Sequence, residues 1–148
     1  VLQLAAAQQL TVGKLGTFPF PAGYYLYFGS ALNGLESRVR RHLRPEKKRH
    51  WHIDFLASVA TMRQVWWSTA TDRRECVWAR HSHDCPGVTV PIPRFGSSDC
   101  KCPAHLVHLP SWSQVCDLQS ELASQSPLGV YIAQPSDSGF TPYYLSAG

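Results

Sequence analysis

Hydrophobic and polar positions along the first third of the chain predict a small sheet. Strands are predicted over residues 1–6, 10–12 and 24–28, with Gln8 and Gln9 in the turn between the first two. The period of two in the third strand puts Tyr25 and Tyr27 on one face and Leu26 and Phe28 on the other. Because Leu26 and Phe28 are the obvious core residues, we expect the two tyrosines to share an accessible surface.

A short amphipathic helix is predicted directly after the third strand. Leu35, Val39 and Leu43 are spaced by four residues, which is typical of one helix face, and Pro45 is expected to end the helix. The same spacing brings Arg38 and His42 together on another face. A basic and an aromatic polar side chain are therefore expected side by side.

Weaker patterns predict the rest of the fold. We expect strands over 64–69, 88–92 and 105–109, helices over 75–80 and 112–123, and irregular chain over 124–148. Thr71-Asp72 is the predicted N-cap of the first of these helices, which should bury Cys76, Val77 and Ala79. The strand at 105–109 is expected to be the last of the core. These elements predict a small α+β domain over 1–110, with a mixed or antiparallel sheet flanked by helices, and a C-terminal extension over 111–148.

Composition narrows the class of protein. The chain has 148 residues, of which 44% are hydrophobic and 16% charged, so we expect one folded domain rather than a disordered chain. No apolar run reaches the roughly 20 residues that a membrane helix needs. The opening lacks a basic secretory leader, and five cysteines is an odd number, so we expect a soluble, cytoplasmic protein with mostly buried, reduced thiols.

Positive charge is concentrated in one segment, residues 38–50. It carries seven basic residues against a single acid, Glu46. Such a local patch favours an anionic partner, and a phosphodiester backbone fits best. The residues predicted to bind nucleic acid in this way are Arg40, Arg41, Arg44, Lys47, Lys48, Arg49 and His50.

Several motifs in this region resemble those of a known nuclease superfamily. Tyr27-Phe28-Gly29, then Leu35-Glu36-Ser37-Arg38 and His42, resemble the second half of the GIY-YIG nuclease pattern. With KKRHWHIDFL, Glu75-Cys76 and FGSSDCKCPAHL, they are similar to a branch described as a domain of unknown function and sometimes labelled a Uri-type endonuclease. The resemblance covers about residues 1–109, and the motifs occur in the same order.

The resemblance implies a GIY-YIG-like fold and metal-dependent hydrolysis of DNA, in repair or in processing of DNA structures. Tyr27 takes the place of the active-site tyrosine, and Arg38 that of the arginine that stabilises charge on the scissile phosphate. Tyr27 or His42 would handle the proton of the attacking water. Glu75 would hold one Mg²⁺ or Mn²⁺ ion, a hard cation that prefers carboxylate oxygen.

The chain departs from the family pattern in two places. The first tripeptide of the family, which supplies another tyrosine, would fall before Val1, so either it lies upstream or this protein lacks it. Many relatives carry an asparagine after a Pro-x-Tyr near the end of the nuclease core, whereas this chain has Pro93-Arg94-Phe95-Gly96. That supporting residue is not predicted here.

Each catalytic assignment has a structural alternative. Tyr27 could serve only strand packing, Arg38 and His42 could belong to a solvated basic face, and Glu75 could be a favourable first-turn acid. The corresponding alternative function is a non-catalytic nucleic-acid-binding module of the same fold.

Two further groups of polar residues could hold a metal or support the site. His50, His52 and Asp54 would share one face of a strand, whereas a helix would bring only His50 and Asp54 together, and bracing by hydrogen bonds is the favoured role. Cys100, Cys102 and His105 form an incomplete zinc signature that Cys76 or Cys85 could complete. Zinc is not favoured over magnesium here, and a zinc-stabilised interaction domain is the third possible function.

Overall fold

The chain forms a mixed α+β fold of four helices and small antiparallel sheets. A computed structural model describes residues 1–70 and 72–134. The strands are β1 (Leu2–Leu4), β2 (Gln8–Val12), β3 (Gly16–Phe20), β4 (Gly23–Tyr27), β5 (Thr61–Met62), β6 (Gln64–Trp67), β7 (Leu106–Leu109) and β8 (Gly129–Ile132). The helices are α1 (Leu35–Leu43), α2 (His52–Ala57), α3 (Arg74–His83) and α4 (Trp112–Gln125), with a 3₁₀ turn at Gly13–Leu15.

The main sheet has the strand order β5-β1-β4-β7, and all its pairs are antiparallel. Leu2 of β1 lies opposite Tyr25 of β4, and Leu26 of β4 lies opposite Val107 of β7. β2 pairs with β3 as a hairpin, and β6 pairs with β8 in a separate ribbon. Of the two sheet types that the sequence left open, the described residues form the antiparallel one.

Both faces of the main sheet are covered, which corrects the prediction of an accessible tyrosine face. Tyr25 is fully buried in a core with Phe20, Ile53 and Leu56, and its hydroxyl donates to the carbonyl of Pro21 at 2.5 Å. On the opposite face Leu26 packs in a core that α3 and α4 supply. The expectation fails because the β2–β3 hairpin and α2 cover the face that carries Tyr25.

Helix α1 matches the prediction in its apolar stripe and in its end before Pro45. It ends at Leu43, two residues before Pro45, and the backbone N–H of Arg44 closes its last turn. Val39 is buried against Trp67, while Leu35 and Leu43 pack around this pair. The stripe therefore anchors α1 to the β6–β8 ribbon.

Some local predictions are wrong. Gln8 and Gln9 lie within β2 rather than in a turn. The N-cap of α3 is Arg73, which makes no side-chain cap, and Thr71 lies outside the described residues. Cys76 and Ala79 are buried as expected, but Val77 is 38% exposed because it lies on the opposite side of α3.

The later part of the chain differs from the prediction at several points. Residues 88–92 make a single bridge, between Thr89 and His108, instead of a full strand. Helix α4 runs to Gln125, and three of its residues pack in the core under the main sheet. β7 is the last strand of the main sheet in chain order, as expected, while β8 follows α4 and pairs with β6 in the separate ribbon. Residues 135–148 of the predicted extension lie outside the described residues. No helix in the described part of the chain is long and apolar enough to cross a membrane.

Candidate functional site

A cleft lies where β4 leaves the sheet and α1 begins. Its volume is about 120 Å³. The lining includes Tyr27, Gly29, Arg38, His42, Trp66 and Trp78, from β4, the loop after it, α1, β6 and α3. The three residues predicted to act in catalysis thus line one cavity.

Tyr27 is held at the base of this cleft between two glycines. A Cβ on Gly29 would lie 3.3 Å from the Tyr27 ring, and one on Gly96 would lie 2.7 Å from it. Burial raises the pKa of the Tyr27 phenol, although the nearby Arg38 guanidinium opposes this shift. The phenol is therefore protonated near neutral pH and is able to donate a hydrogen bond.

His42 faces Tyr27 across the cleft, with ring centroids 6.1 Å apart. Burial, together with the positive charges of Lys47, Arg38 and Arg41, lowers the pKa of His42 to about 4. The imidazole is therefore neutral at pH 7. A neutral imidazole is the form that accepts a proton.

Two arginines of α1 pack on the ring of Trp51. The guanidinium carbons of Arg38 and Arg41 lie 4.0 and 3.9 Å from its centroid. Arg38 also donates from Nε to the carbonyl oxygen of Ser30 at 2.8 Å, which fixes its direction beside the cleft.

Asp54 fixes the position of Arg41 beside Trp51. Its side chain has no exposed area and accepts from both terminal nitrogens of Arg41, at 2.7 and 3.0 Å. The backbone N–H groups of His50 and Trp51 donate to the same carboxylate at 2.8 and 2.9 Å. Burial raises the pKa of Asp54, but these hydrogen bonds and the Arg41 charge outweigh it and hold the pKa well below its ordinary value.

The side chains of His50, His52 and Asp54 each have a different environment. Because α2 begins at His52, these residues are not on a strand. His52 accepts a hydrogen bond at Nδ1 from the backbone N–H of Gly96 at 3.0 Å, while the exposed His50 ring packs beside Trp51. The contacts made by His52 and Asp54 are those of bracing residues.

The basic segment has a mixture of structural and free charges. Arg40 pairs with Glu36, Arg41 with Asp54, and Lys47 donates to the carbonyl of His42 at the end of α1. Arg44 and Lys48 are exposed, as is Arg49, whose guanidinium carbon lies 5.5 Å from the ring centroid of Phe55. Only part of the positive charge of this segment is thus available to contact a phosphate backbone.

A second candidate site is a Cys₃His cluster formed by Cys76, Cys100, Cys102 and His105. The four ligand atoms lie within 4.8 Å of one another. His105 Nε2 is 3.4 Å from Cys100 Sγ and 3.7 Å from Cys76 Sγ. Cys76 comes from α3, and the other three come from the loop before β7. Of the two cysteines left open as the fourth ligand, the fold brings in Cys76.

The donor set of the Cys₃His cluster fits a tetrahedral metal such as zinc. Zn–S bonds of about 2.3 Å place ligands about 3.7 Å apart, close to the separations seen here. Burial raises the pKa of the Cys76 thiol to about 12, so a bound cation would have to displace this proton. Burial also disfavours the Cys102 thiolate, but hydrogen bonds, first that of Arg80, give a net lowering of its pKa.

Glu75 lies on α3, directly before the cluster residue Cys76. It is on α3 one turn before Trp78, which lines the cleft, and its side chain is 11% exposed. Arg73 approaches it at 3.5 Å. Glu75 is thus one helix turn away from a residue of the cleft wall but does not itself line the cleft, and the cleft lining in the described residues contains no carboxylate.

Three supporting residues were not predicted from the sequence. Arg38 packs on the ring of Trp51, the lack of a side chain at Gly96 leaves space for the Tyr27 ring, and Trp78 forms part of the cleft wall. The one available signal was the position of Trp51 inside the His-Trp-His-Ile-Asp run, directly after the basic loop. Gly96 has φ +70°, a conformation that favours glycine, but only the folded chain brings it against Tyr27.

Comparison with known proteins gives one assignment. No curated protein and no solved structure matches the chain. One family model matches residues 1–127, which includes both the cleft and the Cys₃His cluster. The chain belongs to the family described as domain of unknown function DUF123.

Proposed function

We propose that this protein is a divalent-metal-dependent endonuclease of the GIY-YIG type, which hydrolyses phosphodiester bonds in DNA. The observation that supports this most is the convergence of Tyr27, Arg38 and His42 on one cleft beside the basic end of α1. These residue types combine a protonated phenol, a fixed guanidinium and a neutral imidazole. Phosphodiester hydrolysis needs a charge stabiliser and a proton acceptor of this kind.

Each of the three side chains has a role that its surroundings support. Arg38, held by Trp51 and the Ser30 carbonyl, is oriented to meet phosphate oxygens in the cleft. His42 is the candidate proton acceptor for water, because burial keeps it neutral. Tyr27 donates its hydroxyl proton as a hydrogen bond to the reacting phosphate.

Glu75 is the residue that would hold Mg²⁺ or Mn²⁺. Magnesium in nucleases is commonly held by one or two carboxylates together with substrate oxygens, and Glu75 supplies one such carboxylate near the cleft. The ion would neutralise charge on the phosphate when bound. Zinc in the Cys₃His cluster would have a separate, structural role, because all its ligands come from the protein and none remains open.

The test is cleavage of plasmid and branched DNA by purified protein with Mn²⁺. We expect nicking, and we expect Arg38→Ala to reduce its rate by about 100-fold or more while binding in EDTA changes only a few-fold. Arg63→Ala is the matched control, because Arg63 is an exposed arginine outside the basic segment. Full activity of Arg38→Ala would refute the assignment of the cleft as the catalytic site.

One observation favours a second candidate, the non-catalytic nucleic-acid-binding module. The cleft lining in the described part of the chain lacks a carboxylate, which leaves Glu75 as the single nearby metal ligand. In that case DNA binds and no divalent ion supports cleavage. Binding of DNA by the wild type without cleavage in any divalent ion would identify the module, whereas in the nuclease Glu75→Gln should abolish cleavage and leave binding nearly intact.

A further inference from the structure

One apolar side chain next to the cleft has no packing partner in the fold. Leu32 is 92% exposed, far more than Val59, Val77 and Ile132, the other large exposed hydrophobic residues in the described part of the chain. It lies in the loop from Gly29 to Gly34, which forms one wall of the cleft through Gly29 and Ala31. A fully exposed leucine at this place contributes nothing to the core.

The loop that carries Leu32 is held at both ends. The N–H of Gly34 donates to the carbonyl of Ala31 at 3.1 Å and closes a turn with Leu32 and Asn33 at its tip. On the other side, Arg38 Nε donates to the carbonyl of Ser30. The backbone that carries Leu32 is thus held beside Arg38 and the cleft.

Part of the cleft wall is aromatic. Trp66 and Trp78 line the cleft together with Tyr27. Trp78 is 8% exposed. Aromatic rings on a cleft wall can stack on a nucleobase, because every base has a π-face.

From these three features we infer that the cleft receives an unstacked nucleotide of DNA and that Leu32 fills the gap which this nucleotide leaves in the base stack. The inference rests on the proposed function and adds a substrate class, DNA with a distorted or bulged step. Apolar side chains of this size insert between base steps in proteins that kink DNA, and aromatic walls receive extruded bases. The free charges of Arg44 and Lys48 lie on the basic segment that follows Leu32 and meet the adjacent phosphates.

The experiment compares binding to a perfect duplex and to the same duplex with a one-nucleotide bulge, in EDTA so that cleavage is excluded. 2-Aminopurine beside the bulge reports unstacking through its fluorescence. We expect the bulged DNA to bind at least tenfold more tightly, with increased fluorescence. Leu32→Ala should remove this preference and leave affinity for the perfect duplex within twofold, whereas Val59→Ala, at another exposed apolar residue, should retain it.

A second variant tests the inner wall of the cleft. Trp66→Leu removes an aromatic ring from this wall, so affinity for the bulged DNA should fall severalfold while affinity for the perfect duplex stays within twofold. Equal affinity for the two DNAs, or a preference that survives Leu32→Ala, overturns the inference and leaves the nuclease proposal standing. Absence of binding to either DNA at low salt refutes both.

Discussion

Replacement of Asp54 by asparagine tests the structural basis of the site. The carboxylate is fully buried and accepts four hydrogen bonds, two from Arg41 and two from backbone N–H groups. Asparagine has the same shape but no charge, and its amide presents a donor where it needs an acceptor. Arg41 would then keep its charge beside Trp51 without a counter-ion.

The size of the effect follows from burial. Breaking a buried ion pair costs about 3–5 kcal/mol, and the 25% exposure of Arg41 lets water offset part of this. We therefore expect Asp54→Asn to lower the free energy of unfolding by about 2–4 kcal/mol. For a domain of this size that is a fall of roughly 5–15 °C in melting temperature.

Glu36→Gln is the matched control, because Glu36 pairs with Arg40 at the same 2.7 Å but both partners are exposed. That variant should lose less than about 0.5 kcal/mol. Urea unfolding at pH 7, followed by tryptophan fluorescence, measures both variants. If Asp54→Asn is as stable as Glu36→Gln, the bracing assigned to Asp54 is wrong.

The lowered pKa of Asp54 determines how the free energy of unfolding changes in acid. The folded state holds the pKa of Asp54 below its ordinary value of 3.8, so this stabilisation is complete above that pH. As the pH falls below 3.8 the unfolded state takes up a proton first, and the stabilisation is progressively lost. The difference in free energy of unfolding between the wild type and Asp54→Asn should therefore become smaller as the pH falls.

Other residues give further predictions. Protein purified without added metal should contain one equivalent of zinc, and Cys100→Ser should lower both its zinc content and its melting temperature. Wild-type protein that melts at the same temperature with and without zinc would contradict this. Gly96→Ala should cost roughly 2–3 kcal/mol, because φ is +70° and the new Cβ would lie 2.7 Å from the Tyr27 ring, and unchanged stability in urea would refute it. His42 has its pKa lowered to about 4, so stability should fall as the pH drops from 6.5 towards 4, by about 1–2 kcal/mol from this residue; an equally steep fall in His42→Gln would exclude it. Tyr25→Phe should cost about 1 kcal/mol through its lost hydrogen bond to Pro21, and an unchanged unfolding midpoint would count against that bond.

The parts of the site that a helix period determines were predictable from the sequence. Leu35, Val39 and Leu43 fix the buried side of α1, and Arg38 and His42 follow at their predicted place beside it. These relations are local, because residues four apart always meet on a helix. They required no knowledge of what packs against α1.

Relations between distant segments were not predictable in the same way. Tyr25 was expected to be accessible because a period of two shows which side chains share a face but not whether that face is covered. Its covering comes from α2 and the β2–β3 hairpin, elements that lie elsewhere in the chain. Cys100, Cys102 and His105 were likewise visible as a local group, whereas the choice of Cys76 depends on how α3 packs.

The two candidate sites share structural elements, and this links the metal to the cleft. α3 contributes Cys76 to the Cys₃His cluster and, two residues later, Trp78 to the cleft wall. The loop between Phe95 and His105 contributes three ligands and also Gly96, which lies against Tyr27 and donates its N–H to His52. A metal in the cluster would therefore fix the position of both the Trp78 and the Tyr27 sides of the cleft. The Arg41–Asp54 pair lies on α1 and α2 and shares none of these residues, so loss of the metal should loosen the cleft wall while the support beneath Arg38 persists.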